Sequence, residues 1–376
     1  MRRLLILITI TLLAAATCAH ADTIHVDWTG AGDYETIQEG LDAADTGDTV
    51  LVAPGTYFGE NNRDLSYGGK GITLMSTGGP RSTTINADNL GRGLLFTMGV
   101  GPDAVLSGFT ITNGTAEKGG GIYCYGTSPT ITDCHILACT ATATNAGGGG
   151  FWCQEVESSP TLVDVTITAC TAYYGGGLGS TRYATPTLTR VTLQVNTSWE
   201  RGGGAYFERA TGEVVITDCV FLGNASTSGH GGGLNLFDTS ASITGATFAR
   251  NRGTWGACIE LSQTSSPSIE NSILSFGVNG KAIYATSENE VPTTTRCVVY
   301  GNDGGDDLVG VFSDILYEDP RFCDMLGSDL TLCSNSSALP ANNIWTVLMG
   351  AYGEGCGDCD SPIDASSWGR IKGLYR

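Results

Sequence analysis

The sequence predicts an all-β fold, a single right-handed parallel β-helix, and three observations predict it. A glycine block recurs at a near-constant interval. The segment after each block repeats as a short strand of alternating apolar and polar residues. The segments at both ends leave the repeat, as the ends of a stacked structure must.

The blocks are GGGIYC (119–124), GGGFWC (148–153), GGGLGS (175–180), GGGAYF (202–207), GGGLNL (231–236), GACIEL (256–261) and GKAIYA (280–285). Their third positions are spaced by 29, 27, 27, 29, 25 and 24 residues. The following segments align as TITDCHILAC, TLVDVTITAC, TLTRVTLQVN, VITDCVFLGN, SITGATFARN, SIENSILSFG and TTTRCVVYGN, and VLSGFTITNG (105–114) fits before them. Three columns emerge: Ile131, Leu162, Leu188, Ile216, Ile243, Ile269; Cys134, Val165, Val191, Cys219, Ala246; and Ile136, Ile167, Leu193, Phe221, Phe248, Leu274. One coil cannot bury its own inner face, so coils stack and like residues form continuous inner columns. Rungs are expected about 4.8 Å apart.

Sharp corners between strands require residues that reach positive φ, and glycine does so without a Cβ penalty. Asn196, Asn224 and Asn251 hold one corner column, where asparagine is expected to adopt the left-handed conformation and bond to its stacked neighbours. Cys139 and Cys170 take the same column in the two preceding coils.

Residues 1–21 read as an export signal. Arg2 and Arg3 precede the apolar run LLILITITLLAAA, and Ala19-His20-Ala21 supplies a small-x-small cleavage site. The β-helix is expected over 22–315, with a cap at 22–57 and glycine-block repeats over 103–302. The segment TIHVDWTGAGDYETIQEGLDAADTGDTVLVAPGTY (23–57) resembles the N-terminal opening of the pectin lyase-like superfamily. The resemblance implies a short capping helix through Ile37, Leu41 and Ala44 that plugs the first rung. Pectin methylesterases share this opening, but their catalytic aspartate segment has no counterpart here. The GGG-plus-Asn repeats are similar to β-helix repeat proteins of bacterial surfaces, including polymorphic outer-membrane-protein repeats. From about 316 the repeat fades. EDPRFCDMLGSDLTLC…GEGCGDC resembles the closing segment of secreted β-helix proteins, which implies a C-terminal cap at 316–360 tied by Cys323, Cys333, Cys356 and Cys359. The tail 361–376, ending SWGRIKGLYR, reads either as a sorting or anchoring signal or as a frayed end.

Charge narrows the partners. The formal net charge is −19. Cleavage of the signal removes two arginines, leaving 17 basic residues against 38 acidic ones, a balance of −21. The balance argues against nucleic acid and acidic membrane surfaces as partners, and mildly against a polyanionic substrate unless a local basic cleft overrides the field. No segment after the signal is a transmembrane run. Twelve cysteines follow residue 21. In an exported chain they favour disulfides over thiolate chemistry. Cys124 and Cys153 share one inward column on adjacent rungs, and Cys139 and Cys170 share the corner. Each pair is either bridged or a reduced apolar ladder. Cys356-x-x-Cys359 lacks a second ligand pair of clear spacing, so no metal and no cofactor is expected.

Several constellations invite chemical readings. Gly229-His230-Gly231 and Arg370-Ile371-Lys372 resemble the GHG and RIK motifs of polygalacturonases. The paired aspartates that precede GHG in that family are absent here, as is its Asn-Thr-Asp motif. His230 also stands one residue before the glycine block, where other coils carry Lys118, Gly147, Tyr174 or Arg201. That slot is expected to be exposed and variable, and no catalytic residue is assigned. GNDGGDDLVG (301–310) resembles one calcium-binding RTX repeat through Asp303, Asp306 and Asp307, but such sites need consecutive copies, so an acidic surface loop is expected. Asp133 and Asp164 fall on adjacent rungs at the spacing of a retaining glycosidase pair. Their column continues as Arg190, Asp218, Gly245, Asn271 and Arg296, which favours a bend. One outward column reads Tyr123, Trp152, Gly179, Tyr206, Asn235, Glu260, Tyr284. Tyr123, Trp152 and Tyr206 either form a strip that stacks on sugar rings or stabilise one another without a ligand.

Together these features favour a secreted or cell-surface protein, non-catalytic, with a structural, adhesive or glycan- or partner-binding role. Polysaccharide or cell-surface components are the expected partners. The alternative is a carbohydrate-active enzyme (lyase, hydrolase or epimerase), which rests on fold analogy alone.

Overall fold

The computed structural model describes residues 21–97, 99–145 and 147–359. The expected export signal, apart from its last residue, and the expected tail at 361–376 lie outside the described residues. The described chain winds as an all-β parallel solenoid of about 13 turns.

One coil shows the path. Ile122–Tyr125 belongs to a nine-stranded parallel sheet. A turn leads to Thr130–Leu137, which crosses a twenty-stranded sheet as two strand lines separated by a bend at Asp133. A second bend at Ala138 leads to Thr140–Ala141 in a short five-stranded sheet, and the glycine corner returns the chain to the nine-stranded sheet. The inner columns are in the expected register: Ile131 pairs with Leu162 and Leu162 with Leu188, while Ile136 pairs with Ile167 and Ile167 with Leu193. Their side chains are buried in one continuous core.

The bends share one backbone solution. Asp133, Asp164, Arg190, Asp218, Gly245, Asn271 and Arg296 all adopt left-handed φ, between 47° and 65°. The aspartate column is therefore a bend column, as its composition suggests. Holding a non-glycine residue there costs roughly 1–2 kcal/mol, so the stacked neighbours must offset it. Arg190 does so visibly, donating Nε and Nη2 to the two carboxylate oxygens of Asp164 at 2.7 and 2.8 Å. At the glycine corner, Gly175 has φ +56°, and a Cβ there would sit 2.2 Å from the Leu178 carbonyl oxygen.

After each left-handed residue the next N–H points away from the carbonyls of the neighbouring coil. At many of the bends a short polar side chain on that coil accepts it instead. At the second bend the chain of acceptors is continuous. The N–H of Cys139 meets Cys170 Sγ at 3.4 Å, and Cys170 N–H donates to Asn196 Oδ1 at 2.9 Å. Asn196 N–H donates to Asn224 Oδ1, and Asn224 N–H to Asn251 Oδ1, both at 3.0 Å. Each asparagine amide also donates back to a carbonyl, Asn224 Nδ2 to Leu193 O at 2.8 Å. This corrects the expected role of the asparagines. Stacked bonding is present, but the left-handed residues are the preceding Val195, Gly223 and Arg250, and the asparagines form a buried ladder. The first bend repeats the device, with Cys219, Ser272 and Cys297 accepting from Val191, Ala246 and Ser272. A third bend uses Thr239 and Ser265 to accept from Ala210 and Thr239.

The cysteines divide accordingly. Cys124, Cys134, Cys139, Cys153, Cys170, Cys219, Cys258 and Cys297 are free and buried. The Cys124/Cys153 and Cys139/Cys170 pairs expected as disulfide candidates are unbridged in the structure. In-register side chains stand about a rung apart, beyond the usual Cβ separation of about 3.8 Å in a disulfide. Disulfides join Cys323 to Cys356 and Cys333 to Cys359.

Both ends are closed. The opening helix Ile37–Ala43 buries Ile37 and Leu41 against the first rung, with Ala44 beside them. Lys70 Nζ donates to the helix-terminal carbonyls of Leu41 and Ala44, each at 2.7 Å. At the far end GNDGGDDLVG is the terminator. The partial coil that follows stacks Val311–Ser313 on Thr293–Thr295, and at the Asn302 corner the Asp306 carboxylate takes the Asn302 N–H at 3.0 Å while also accepting from Gly301 at 2.9 Å. Leu308 and Val309 then pack on the end of the core. The carboxylate that suggested calcium thus works as a turn acceptor. The disulfide-tied unit lies along the flank. Phe322, Met325, Leu332 and Met349 form a second core with outward Val220, Leu222, Ile273 and Val298.

Two predictions follow from the bends. Asn224→Leu should destabilise by about 2–4 kcal/mol, because it strands the Asn196 N–H and the Leu193 carbonyl. Asn224→Cys should cost clearly less, since thiols fill the same slot two coils earlier; equal losses in urea melts would contradict the acceptor role. Burial also pushes the Cys134, Cys219 and Cys297 thiols up to about 12. In a chain starting at Asp22, the eight free thiols should ignore a disulfide reagent when native and all titrate when unfolded without reductant. Fewer than eight would mean that a ladder pair is bridged.

Candidate functional site

The outer face of the nine-stranded sheet carries the densest polar and aromatic chemistry. Its first outward column is in register from Leu95 through Tyr123, Trp152, Gly179, Tyr206, Asn235, Glu260 and Tyr284. A second column holds Tyr125, Gln154 and Thr181, then Glu208, Phe237 and Ser262.

The three aromatics expected as a stacking strip occupy that face in different ways. Tyr123 is half-buried beneath Arg92, whose guanidinium stands 5.4 Å from the ring centroid, and burial raises its phenol to about 12. Trp152 is 2% exposed and Tyr206 4%. The Trp152 indole lies flat over Gly179 and Gly147, where a Cβ would come within 2.3 and 2.7 Å of it. The missing side chains of these glycines make the bed for the ring. Tyr206 is covered by Tyr174, stacked at 4.9 Å. Neither Trp152 nor Tyr206 presents an open ring. The exposed rings on and beside this face are Tyr125, Tyr183 and Trp255.

A cleft of about 270 Å³ opens beside Trp152, lined by Lys118, Asn145, Gln154, Thr181, Arg182, Tyr183, Glu208 and Arg209. Its polar groups form two chains of contacts. Lys118 Nζ and Trp152 Nε1 both donate to Gln154 Oε1, at 3.1 and 3.2 Å. Gln154 Nε2 and Arg182 Nη1 both donate to Glu155 Oε1, at 3.4 and 2.9 Å. Across the cleft, Thr181 Oγ1 and Arg209 Nη1 hold the two oxygens of Glu208 at 2.8 and 2.6 Å. Arg209 Nε also faces Asp238 Oδ2 at 3.6 Å. Both arginines are thus paired with carboxylates, and the cleft is close to charge balance.

Two rungs further along the face lies a group that the sequence reading did not assemble. Glu260 is buried, and its Oε1 is 2.9 Å from His230 Nδ1 and 3.9 Å from Arg201 Nη1. A carboxylate only accepts, so this contact is a hydrogen bond in the tautomer that carries the His230 proton on Nδ1. His230 is partly buried against its neighbours, with Trp255 at 6.3 Å between ring centroids. The expectation of an exposed slot without a partner is therefore corrected. The slot bridges Gly147, Tyr174, Arg201 and His230 in register, and its long side chains reach across the glycine corner. Glu260 was visible as an acid in an aromatic-rich outward column, but its contact with His230 crosses coils and has no fixed sequence offset.

Asp133 and Asp164 lie on a different sheet. Hydrogen bonding from Arg190 lowers the Asp164 carboxyl below its ordinary range, which keeps it ionised and unsuited to donate a proton. Among the described residues, Cys323, Cys333 and Cys356 form one group of metal-ligating type, and it is occupied by the disulfides.

Comparison with known proteins agrees with this architecture. Residues 165–316 match the family model described as the right handed beta helix region. No curated protein matches the chain in sequence. Among solved structures, pectate lyase Pel9A is 13% identical, with 89% of this chain and 96% of that chain covered and a TM-score of 0.48. Pectin methylesterase from carrot is 13% identical over 79% of this chain and 88% of its own, with a TM-score of 0.41. A PL6 family polysaccharide lyase from Pseudopedobacter saltans is 10% identical over 92% and 98%, with a TM-score of 0.34. The chain folds as a right-handed parallel β-helix, and residues 165–316 carry the sequence pattern of that fold.

Proposed function

We propose that this is an exported, non-catalytic protein that binds a neutral or sparsely charged polysaccharide along the outer face of the nine-stranded sheet. The observation that carries this reading is the cleft. Planar polar side chains (Gln154, Asn145, Arg182, Glu208) stand around the exposed ring of Tyr183. Such groups match sugar hydroxyls and the apolar faces of sugar rings. Charge selects the kind of glycan. The cleft's arginines are already paired, and a chain of −19 repels a polyanion at long range. The two disulfides suit an oxidising compartment outside the cytoplasm. Among the described residues, no helix is long and apolar enough to cross a membrane.

Binding without catalysis is favoured because the cleft carboxylates are committed. Glu155 is held by Arg182 and Glu208 by Arg209 and Thr181. General acid–base work needs a group free to exchange a proton with the substrate.

A panel of neutral and acidic polysaccharides tested together for binding and for chain cleavage decides the matter. We expect retention by at least one neutral polysaccharide with no new reducing or unsaturated ends, and a loss of about tenfold in affinity for Arg182→Ala, the scale of one lost charged hydrogen bond. Product formation, or binding confined to polyanions, would contradict the reading.

A further inference from the structure

The His230–Glu260 group contains an unusual concentration of unanswered polar atoms. Asn235 and Glu260 are register neighbours on adjacent rungs, and both are 0% exposed. Among the described residues, neither the Oδ1 nor the Nδ2 of Asn235 has a hydrogen-bond partner, and neither does Glu260 Oε2. A polar atom buried without a partner is destabilising, since folding strips its water and returns nothing. Three occur together on an outer face, where an apolar pair of the same shape would pack without that penalty. Arg201 and His230 bring donors to the other Glu260 oxygen. Trp255, 43% exposed, forms an aromatic wall beside His230 and 5.4 Å from Tyr284.

This donor and acceptor set selects the ligand. A carboxylate oxygen accepts from one hydroxyl, and a primary amide both accepts and donates. Adjacent hydroxyls on one ring satisfy all three atoms, and an indole covers the apolar side of that ring. A cation fits less well, because the Arg201 guanidinium already stands beside the carboxylate. An apolar ligand would leave the three atoms unpaired.

We propose that Asn235 and Glu260, flanked by His230, Arg201 and Trp255, form a second saccharide subsite that takes the vicinal hydroxyls of a neutral pyranose. The inference rests on the glycan-binding reading and extends it: one glycan chain runs parallel to the solenoid axis and occupies both the cleft and this subsite. The centres of the two sites are separated by two to three rungs, or about 10–14 Å at the usual strand spacing. The half-buried His230 and Arg201 side chains swing outward as the sugar enters, and pairing of the buried amide and carboxylate offsets the contacts they leave.

Calorimetric titration with cello-, xylo-, manno- and galacto-oligosaccharides of two to six residues tests this. In the wild-type protein, affinity should step up at least tenfold when the oligomer becomes long enough to reach Asn235. Asn235→Leu should cancel that step, leave short-oligomer binding unchanged and raise Tm by about 2–4 °C, because an unpaired buried amide is replaced by an apolar group. Glu260→Gln, which keeps the side-chain shape, should also cancel the step. Arg182→Ala should weaken binding at every length. If Asn235→Leu keeps the step, or lowers Tm while keeping it, the subsite is refuted and the cleft stands. If wild type binds short oligomers with no step, the subsite alone fails. If no oligosaccharide in the series binds, both readings fail.

Discussion

The amide that follows each left-handed bend is the constraint on which the rest of the solenoid depends. A parallel β-helix satisfies strand amides automatically, because every coil offers carbonyls to the next. The bends break that rule. In three bend columns many of the orphaned N–H groups find a short side chain on the following coil, with thiols at Cys139, Cys170 and Cys219, amides at Asn196, Asn224 and Asn251, and hydroxyls at Thr239, Ser265 and Ser272, while apolar Val165, Val191 and Ala246 interrupt the first column. Leaving any of them unpaired in the interior would cost about as much as a lost core methylene group or more. The need accounts for four of the free, buried thiols, Cys139, Cys170, Cys219 and Cys297, each of which accepts a bend amide. It also explains the far end, where Asp306 supplies from within its own loop the acceptor for the Asn302 amide.

Fixing the bends from inside leaves the outer faces free to diverge. On the nine-stranded sheet that freedom holds the cleft around Gln154 and the buried Asn235–Glu260 pair. On the second strand line it follows a gradient. Outward residues there are Thr166, Thr168, Thr192 and Gln194, then Val220 and Leu222, then Ile273 and Val298. The apolar part is where the disulfide-tied C-terminal unit docks. One sheet is thus spent on internal closure and another presents polar chemistry to the outside.

In-register stacking made the interior legible in the sequence. The columns through Ile131 and Ile136 repeat because each rung meets the same neighbours. The bend at Asp133 was legible because aspartate, glycine and asparagine recur there. What stayed hidden depends on direction rather than register. The left-handed residue at the asparagine corner is the one before the asparagine, a distinction that spacing does not carry. His230 meets Glu260 across the glycine corner and one coil on, so neither motif nor period links them. Trp152 lies flat only because Gly147 and Gly179 leave room, and its burial was invisible in a column read as simply outward. The apolar turn of the second strand line at Val220 was a usable signal for the docked C-terminal unit, and it was present in the aligned repeats.

Hydrogen exchange at single-amide resolution tests the bend account most directly. The N–H groups of Cys139, Cys170, Asn196 and Asn224 should be protected as strongly as those of the adjacent inner strands at Ile136, Ile167, Leu193 and Phe221, because each is bonded to the next coil and closed off from water. Exchange of these corner amides at the rate of exposed turns, with the strands still protected, would contradict it.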